Sequence, residues 1–106
     1  MESLLEILRK EYPQQRIEFQ YLQLESHIFI IINVSSRNGN NTPISGKVFQ
    51  CFGDKYTPIY NEIVFDHKYI SIQVSNIRDC SLIGRLGNGQ LVKLSYNKQD
   101  NQFIEK

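Results

Sequence analysis

The side chains in this chain best suited to chemistry are His27, Cys51, His67 and Cys80, with Asp66 beside His67 and Asp79 beside Cys80. A nucleophilic cysteine requires a base within hydrogen-bond reach and a third group to orient that base. Cys80 and His67 supply the residue types for a small enzyme, yet no local signature of a known catalytic arrangement surrounds them, and both positions also read as turn residues. Paired-carboxylate acid–base chemistry fares no better, because most acidic residues sit beside turns or on polar strand faces. The same two cysteines and two histidines could in type fill a tetrahedral zinc site. Structural zinc sites draw their ligands in close pairs, since a local turn then presets half the geometry, whereas these four stand singly along the chain. No metal or other cofactor is expected, both cysteines read as reduced structural thiols, and an enzyme ranks third among the functions considered.

The stretch Gly84 to Gly89, G-R-L-G-N-G, superficially suits a phosphate loop. Phosphate loops open a helix, and here Gln90 to Tyr96 continues as a strand, so the glycines mark a hairpin turn. Asn88-Gly89 suits a type I′ turn, which requires positive φ at both central residues. A second group mixes aromatic and basic residues: Lys47, Phe49, Phe52, Lys55, Tyr56 and Tyr60. Small β-barrels bind single-stranded nucleic acid with that mixture, by stacking and phosphate neutralisation. The formal net charge of +1 lends little long-range support, which makes nucleic-acid binding the alternative rather than the leading function.

The elements that must position these residues are mostly strands. The chain contains fourteen Ile, six Phe and six Tyr but no Ala or Trp, a palette that fits pleated, half-buried surfaces. One helix is predicted at about residues 3–12. Ser3 and Glu6 have capping-box spacing, Leu4, Leu5, Leu8 and Tyr12 recur at helical period, and Pro13 forbids continuation. A helix this short is marginal alone, so its Leu stripe must pack on the domain or on another chain.

Strands follow from about residue 16 to 104. Ile17, Phe19 and Tyr21 alternate with Glu18, Gln20 and Leu22, and after an interruption at Glu25-Ser26 the run Ile28 to Val34 is apolar at almost every position. A strand apolar on both faces belongs inside a sheet, with core on one side and the helix on the other. Ser35 to Ser45 reads as the longest loop. Further strands are expected at Gly46 to Phe52, Ile59 to Phe65, Tyr69 to Val74, Leu82 to Leu86, Leu91 to Tyr96 and Gln102 to Ile104. Asp66 to Lys68 reads as a tight hairpin between two of them.

The expected architecture is therefore a single, mainly β (α+β) domain over residues 1–106: one N-terminal helix and about seven antiparallel strands in a bent sheet or small barrel. Nothing reads as a secretion signal, and the apolar run Ile28 to Ile32 is too short to span a bilayer, so a cytoplasmic protein without a membrane partner is expected. The leading function is a non-enzymatic protein-interaction module, an adaptor, inhibitor or small subunit of a complex. It would bind another protein or its own copy, through Leu4, Leu5, Leu8 and Tyr12 on the helix and Arg37, Asn38 and Asn40 on the long loop.

Overall fold

The computed structural model describes residues 3–37, 39–53, 56–63 and 68–105. A helix, α1 (Leu4–Glu11), precedes eight strands: β1 (Arg16–Leu24), β2 (His27–Ser35), β3 (Pro43–Gly53), β4 (Pro58–Glu62), β5 (Tyr69–Asn76), β6 (Ser81–Leu86), β7 (Leu91–Asn97) and β8 (Gln102–Glu105). All strand pairs are antiparallel, as short connections require. The strands form not one bent sheet but two, in the orders β1-β2-β3-β4 and β5-β6-β7-β8.

The expected hairpin joining the fourth and fifth strands is absent from this topology. β4 pairs with β3, and β5 opens the second sheet. Asp66 and His67 lie outside the described residues, as do Val64 and Phe65 at the end of the expected strand.

The two sheets face each other across one core. Leu22, Phe29, Ile31 and Val48 of the first sheet, with Ile63 just after β4, meet Tyr69, Ile72, Cys80, Leu82, Leu94 and Phe103 from the later part of the chain. Aromatic rings fill one end of this layer, where Phe29 stands 4.9 Å from Tyr96 and 5.2 Å from Phe103, centroid to centroid.

At the other end the layers are tied by a polar clasp. The Asn33 side chain donates from Nδ2 to the Ile72 carbonyl at 2.7 Å, and its Oδ1 accepts from the Ile72 N–H at 2.8 Å. Directly across β2–β3, Gly46 pairs with Asn33. A Cβ at Gly46 would lie 2.8 Å from the Ile72 backbone nitrogen, so only glycine lets β5 pass this close.

The helix forms as its caps dictate. Glu6 N–H donates to Ser3 Oγ at 3.2 Å, and Ser3 N–H donates back to Glu6 Oε2 at 3.3 Å. It covers the outer face of the first sheet: Leu4 and Leu8 pack with Ile30, Ile32 and Val34 of β2, flanked by Tyr12, Ile17, Phe49, Cys51 and Tyr60. Burying each leucine stabilises the docked helix by about 1.5–3 kcal/mol, enough to hold an element too short to persist alone. β2 is thus apolar on both faces because both are covered, by the second sheet and by α1.

The β6–β7 hairpin turns at Asn88-Gly89 as expected, but by another geometry. In the loop Gly87-Asn88-Gly89 only Gly89 takes positive φ (+90°), and the Gly89 N–H donates to the Leu86 carbonyl at 2.9 Å. The three-residue loop, with its last residue left-handed, replaces the two-residue type I′ turn because Gly87 enters the loop rather than ending the strand. Asn88 Oδ1 accepts from the Gln90 N–H at 2.9 Å, which fixes the exit.

Candidate functional site

Strand parity and the width of α1 decide what the outer face of the first sheet exposes. Ile17, Phe19 and Tyr21 of β1 stand opposite Val34, Ile32 and Ile30 of β2, and Ile30 stands opposite Phe49 of β3. Since paired residues share a face, all belong to the face that carries the helix. One short helix resting on the β2 row cannot also roof β1. Phe19 is 37% exposed and Tyr21 71%, with Ile28 (41%) and Leu5 (44%) bordering them.

Between the start of α1 and this row runs an open groove of about 260 Å³ lined by Ser3, Leu4, Leu5, Phe19, Tyr21, Ile30 and Tyr60. Its floor is apolar and aromatic. The Tyr60 phenol is held above its ordinary pKa, first by burial and then by neighbouring Cys51 and Tyr21, which keeps that hydroxyl neutral. Such a surface offers van der Waals contact, ring stacking and hydroxyl hydrogen bonds, which are the means of protein recognition.

The residues expected to bind a partner are divided by the fold. Leu4 and Leu8 are buried (5% and 1% exposed) in the packing of α1 on β2, while Tyr12 is half-buried beneath the Lys47 ammonium, 5.5 Å from its ring centroid. Of the helical set Leu4 and Leu5 line the groove, and only Leu5 is exposed there. Arg37 and Asn40 are exposed in the loop after β2. That loop follows Ser35, about 17 Å along the strand from the Ile30 row at 3.3–3.4 Å per residue, so it forms no common surface with Leu5. Asn38 lies outside the described residues.

The aromatic and basic set is also divided. Phe49 and Tyr60 belong to the helix-bearing face, whereas Phe52, three positions after Phe49 in an unbroken register, points to the opposite one. Tyr56 stands apart at 85% exposed, and Lys55 lies outside the described residues. Lys47 is buried and donates to Glu11 at 3.3 Å. Burial pushes its pKa down, but Tyr12, Glu62 and Glu11 push it further up, so it stays charged and committed to the helix terminus rather than to a phosphate.

Cys80 sits fully buried between the sheets with φ +57°. Burial first, then the Asp79 charge, raises its thiol pKa, the reverse of what a nucleophile needs. Cys51 is half-buried on the helix-bearing face, so the two thiols occupy different layers, and both are free. His27 accepts at Nδ1 from Gln50 Nε2 at 3.0 Å, while Gln50 Oε1 is buried without a partner. His67 lies outside the described residues, and among those described no three His, Cys, Asp or Glu side chains gather as a metal site. Likewise, no described helix is long and apolar enough to cross a membrane.

The exposed groove residues that sequence reasoning passed over are Phe19 and Tyr21. Their signal was present, since two aromatics at i and i+2 of one strand must share a face. No family model, no curated protein and no solved structure matches this chain.

Proposed function

We propose that this domain is a non-enzymatic protein-interaction module, an adaptor, inhibitor or small subunit of a complex, that binds its partner through the β1 side of the helix-bearing face. One observation carries the proposal: Phe19 and Tyr21 stand side by side in water, next to Leu5 and Ile28, on a face otherwise roofed by α1. These four side chains expose on the order of 400 Å², within the size at which the largest apolar patch of a monomer is often functional. The groove beside them gives an incoming side chain a place to anchor.

The proposal is tested by quantitative affinity capture with the intact chain and with the double variant Phe19→Ser/Tyr21→Ser, both shown to be folded. A defined protein retained by the intact chain and lost with the double variant supports it. Retention of the same proteins at equal occupancy by both overturns it, because the face would then contribute nothing.

A further inference from the structure

We infer that β1 is a pairing edge for a second copy of this chain, the two β1 strands joining antiparallel about Gln20 to make one continuous eight-stranded sheet. This inference rests on the binding face proposed above and names its occupant. An edge strand presents unpaired N–H and C=O groups, and proteins blunt such edges with shortness, proline, bulges or a cover. Three of the four edges in the described sheets are blunted. β4 is five residues long and starts with Pro58, β8 is four residues long, and β5 carries two register shifts while lying against β2 and β3. β1 is different: nine residues, no proline, and an unshifted register with β2 from Arg16 to Leu24. About half of its backbone polar groups point away from β2.

The strand is also complementary to itself. Gln20 is the midpoint of Arg16–Leu24, so antiparallel pairing centred there uses all nine residues. It sets Phe19 of each copy opposite Tyr21 of the other, twice, on the helix-bearing face. Ile17 meets Gln23, Glu18 meets Leu22, and Arg16 meets Leu24, so the strand's only charges oppose no like charge. A register centred on Glu18 would instead oppose two carboxylates. Glu18 and Gln20 are exposed on the other face of β1, so at the strand's centre the edge is open, and the second sheet reaches β1 only at Leu22 and Leu24.

Above the joined edge, the two β2 rows stand three strand spacings apart, about 14 Å. Helices about 10–12 Å across with their side chains then leave only a narrow valley, floored by the four aromatic rings. The same rings that lie in water in one copy are thereby covered in two.

The experiment is sedimentation velocity of the full chain from 1 to 200 µM, with Gln20→Glu, Gln20→Lys and Tyr21→Ser. Gln20 is exposed, so its replacement leaves the fold intact. The intact chain is expected to pass from 12.4 kDa to twice that mass. Gln20→Glu and Gln20→Lys each weaken association about fivefold by placing like charges on the two-fold axis, an equimolar mixture of the two restores it, and Tyr21→Ser weakens it about thirtyfold. A monomer at 200 µM overturns self-pairing, and a dimer indifferent to both Gln20 variants overturns this register. Neither result touches capture of a different protein by the Phe19–Tyr21 face, so the two proposals fail separately.

Discussion

Replacing Asn33 by alanine removes the clasp between the two sheets. The side chain supplies both a donor and an acceptor to one residue of β5, at 2.7 and 2.8 Å, and Ile72 is fully buried. Each hydrogen bond contributes about 1 kcal/mol net, and each buried backbone group left unpaired costs about 1–3 kcal/mol unless water reaches it. Because the nearby opening beside Asn33, Ile70 and Ser71 lets water in part-way, the lower figures apply, and the expected loss is about 3 kcal/mol. Against a total stability of about 5–15 kcal/mol that is a large fraction, equivalent to a Tm fall of roughly 12–20 °C. Urea denaturation monitored by tyrosine fluorescence measures it, with Gln73→Ala as an exposed control. Asn33→Leu separates hydrogen bonding from volume: it restores bulk but not the partners of Ile72, and is expected to be as damaging. A loss below about 1 kcal/mol for Asn33→Ala, or full rescue by leucine, would refute the clasp as a hydrogen-bonded tie.

Other perturbations have equally definite outcomes. Gly84→Ala places a Cβ 2.5 Å from the Tyr69 ring, whose hydroxyl donates to Glu105 at 2.6 Å, so calorimetry should show a loss of about 1–3 kcal/mol from overpacking. Gln50→Leu deletes a buried oxygen without a partner while freeing half-buried His27 to bond water, and chemical denaturation should show stability unchanged or raised by up to about 1 kcal/mol. Glu25 and Glu105 are held below the usual carboxylate range, by Lys98 in the first case and by Lys68 and then Tyr69 in the second. Their folded pKa values lie below the unfolded ones, so their contribution is present above about pH 4.3 and is lost as pH falls through the folded values; Glu105→Gln should therefore flatten the decline of Tm between pH 5 and 3. An alkylating reagent at pH 8 should modify half-buried Cys51 in the folded protein and reach Cys80 only on unfolding, as mass spectrometry of the two peptides would show.

Much of the fold was legible because local chemistry decided it. Ser3 and Glu6 fix where the helix starts, Pro13 ends it, and the period-two pattern locates every strand within a few residues. What local pattern could not supply was which strands share a sheet. The short link between β4 and β5 reads as a hairpin, yet the placement of β5 depends on Gly46 and Asn33, which are distant in sequence and meet Ile72 only in three dimensions.

The candidate site shows the same division. That Phe19 and Tyr21 share a face, and that Phe49 and Phe52 do not, follows from parity alone. That the helix would roof β2 and leave β1 bare depends on which apolar face the eight-residue helix could reach, and both faces of the first sheet offered one. The Leu stripe drew attention as a docking surface because a short helix must pack somewhere. It packs on its own chain, and the aromatic row it fails to cover is the surface left exposed for the proposed partner.

Hydrogen exchange of the intact chain at 2 µM and at 200 µM tests the binding face most directly. Amides of residues 16–24 should exchange more slowly at the higher concentration, and those of β5 to β8 should be unchanged. Protection appearing on the second sheet instead, or on no segment while the mass doubles, would contradict the assignment of β1 and its aromatic row as the surface this domain uses.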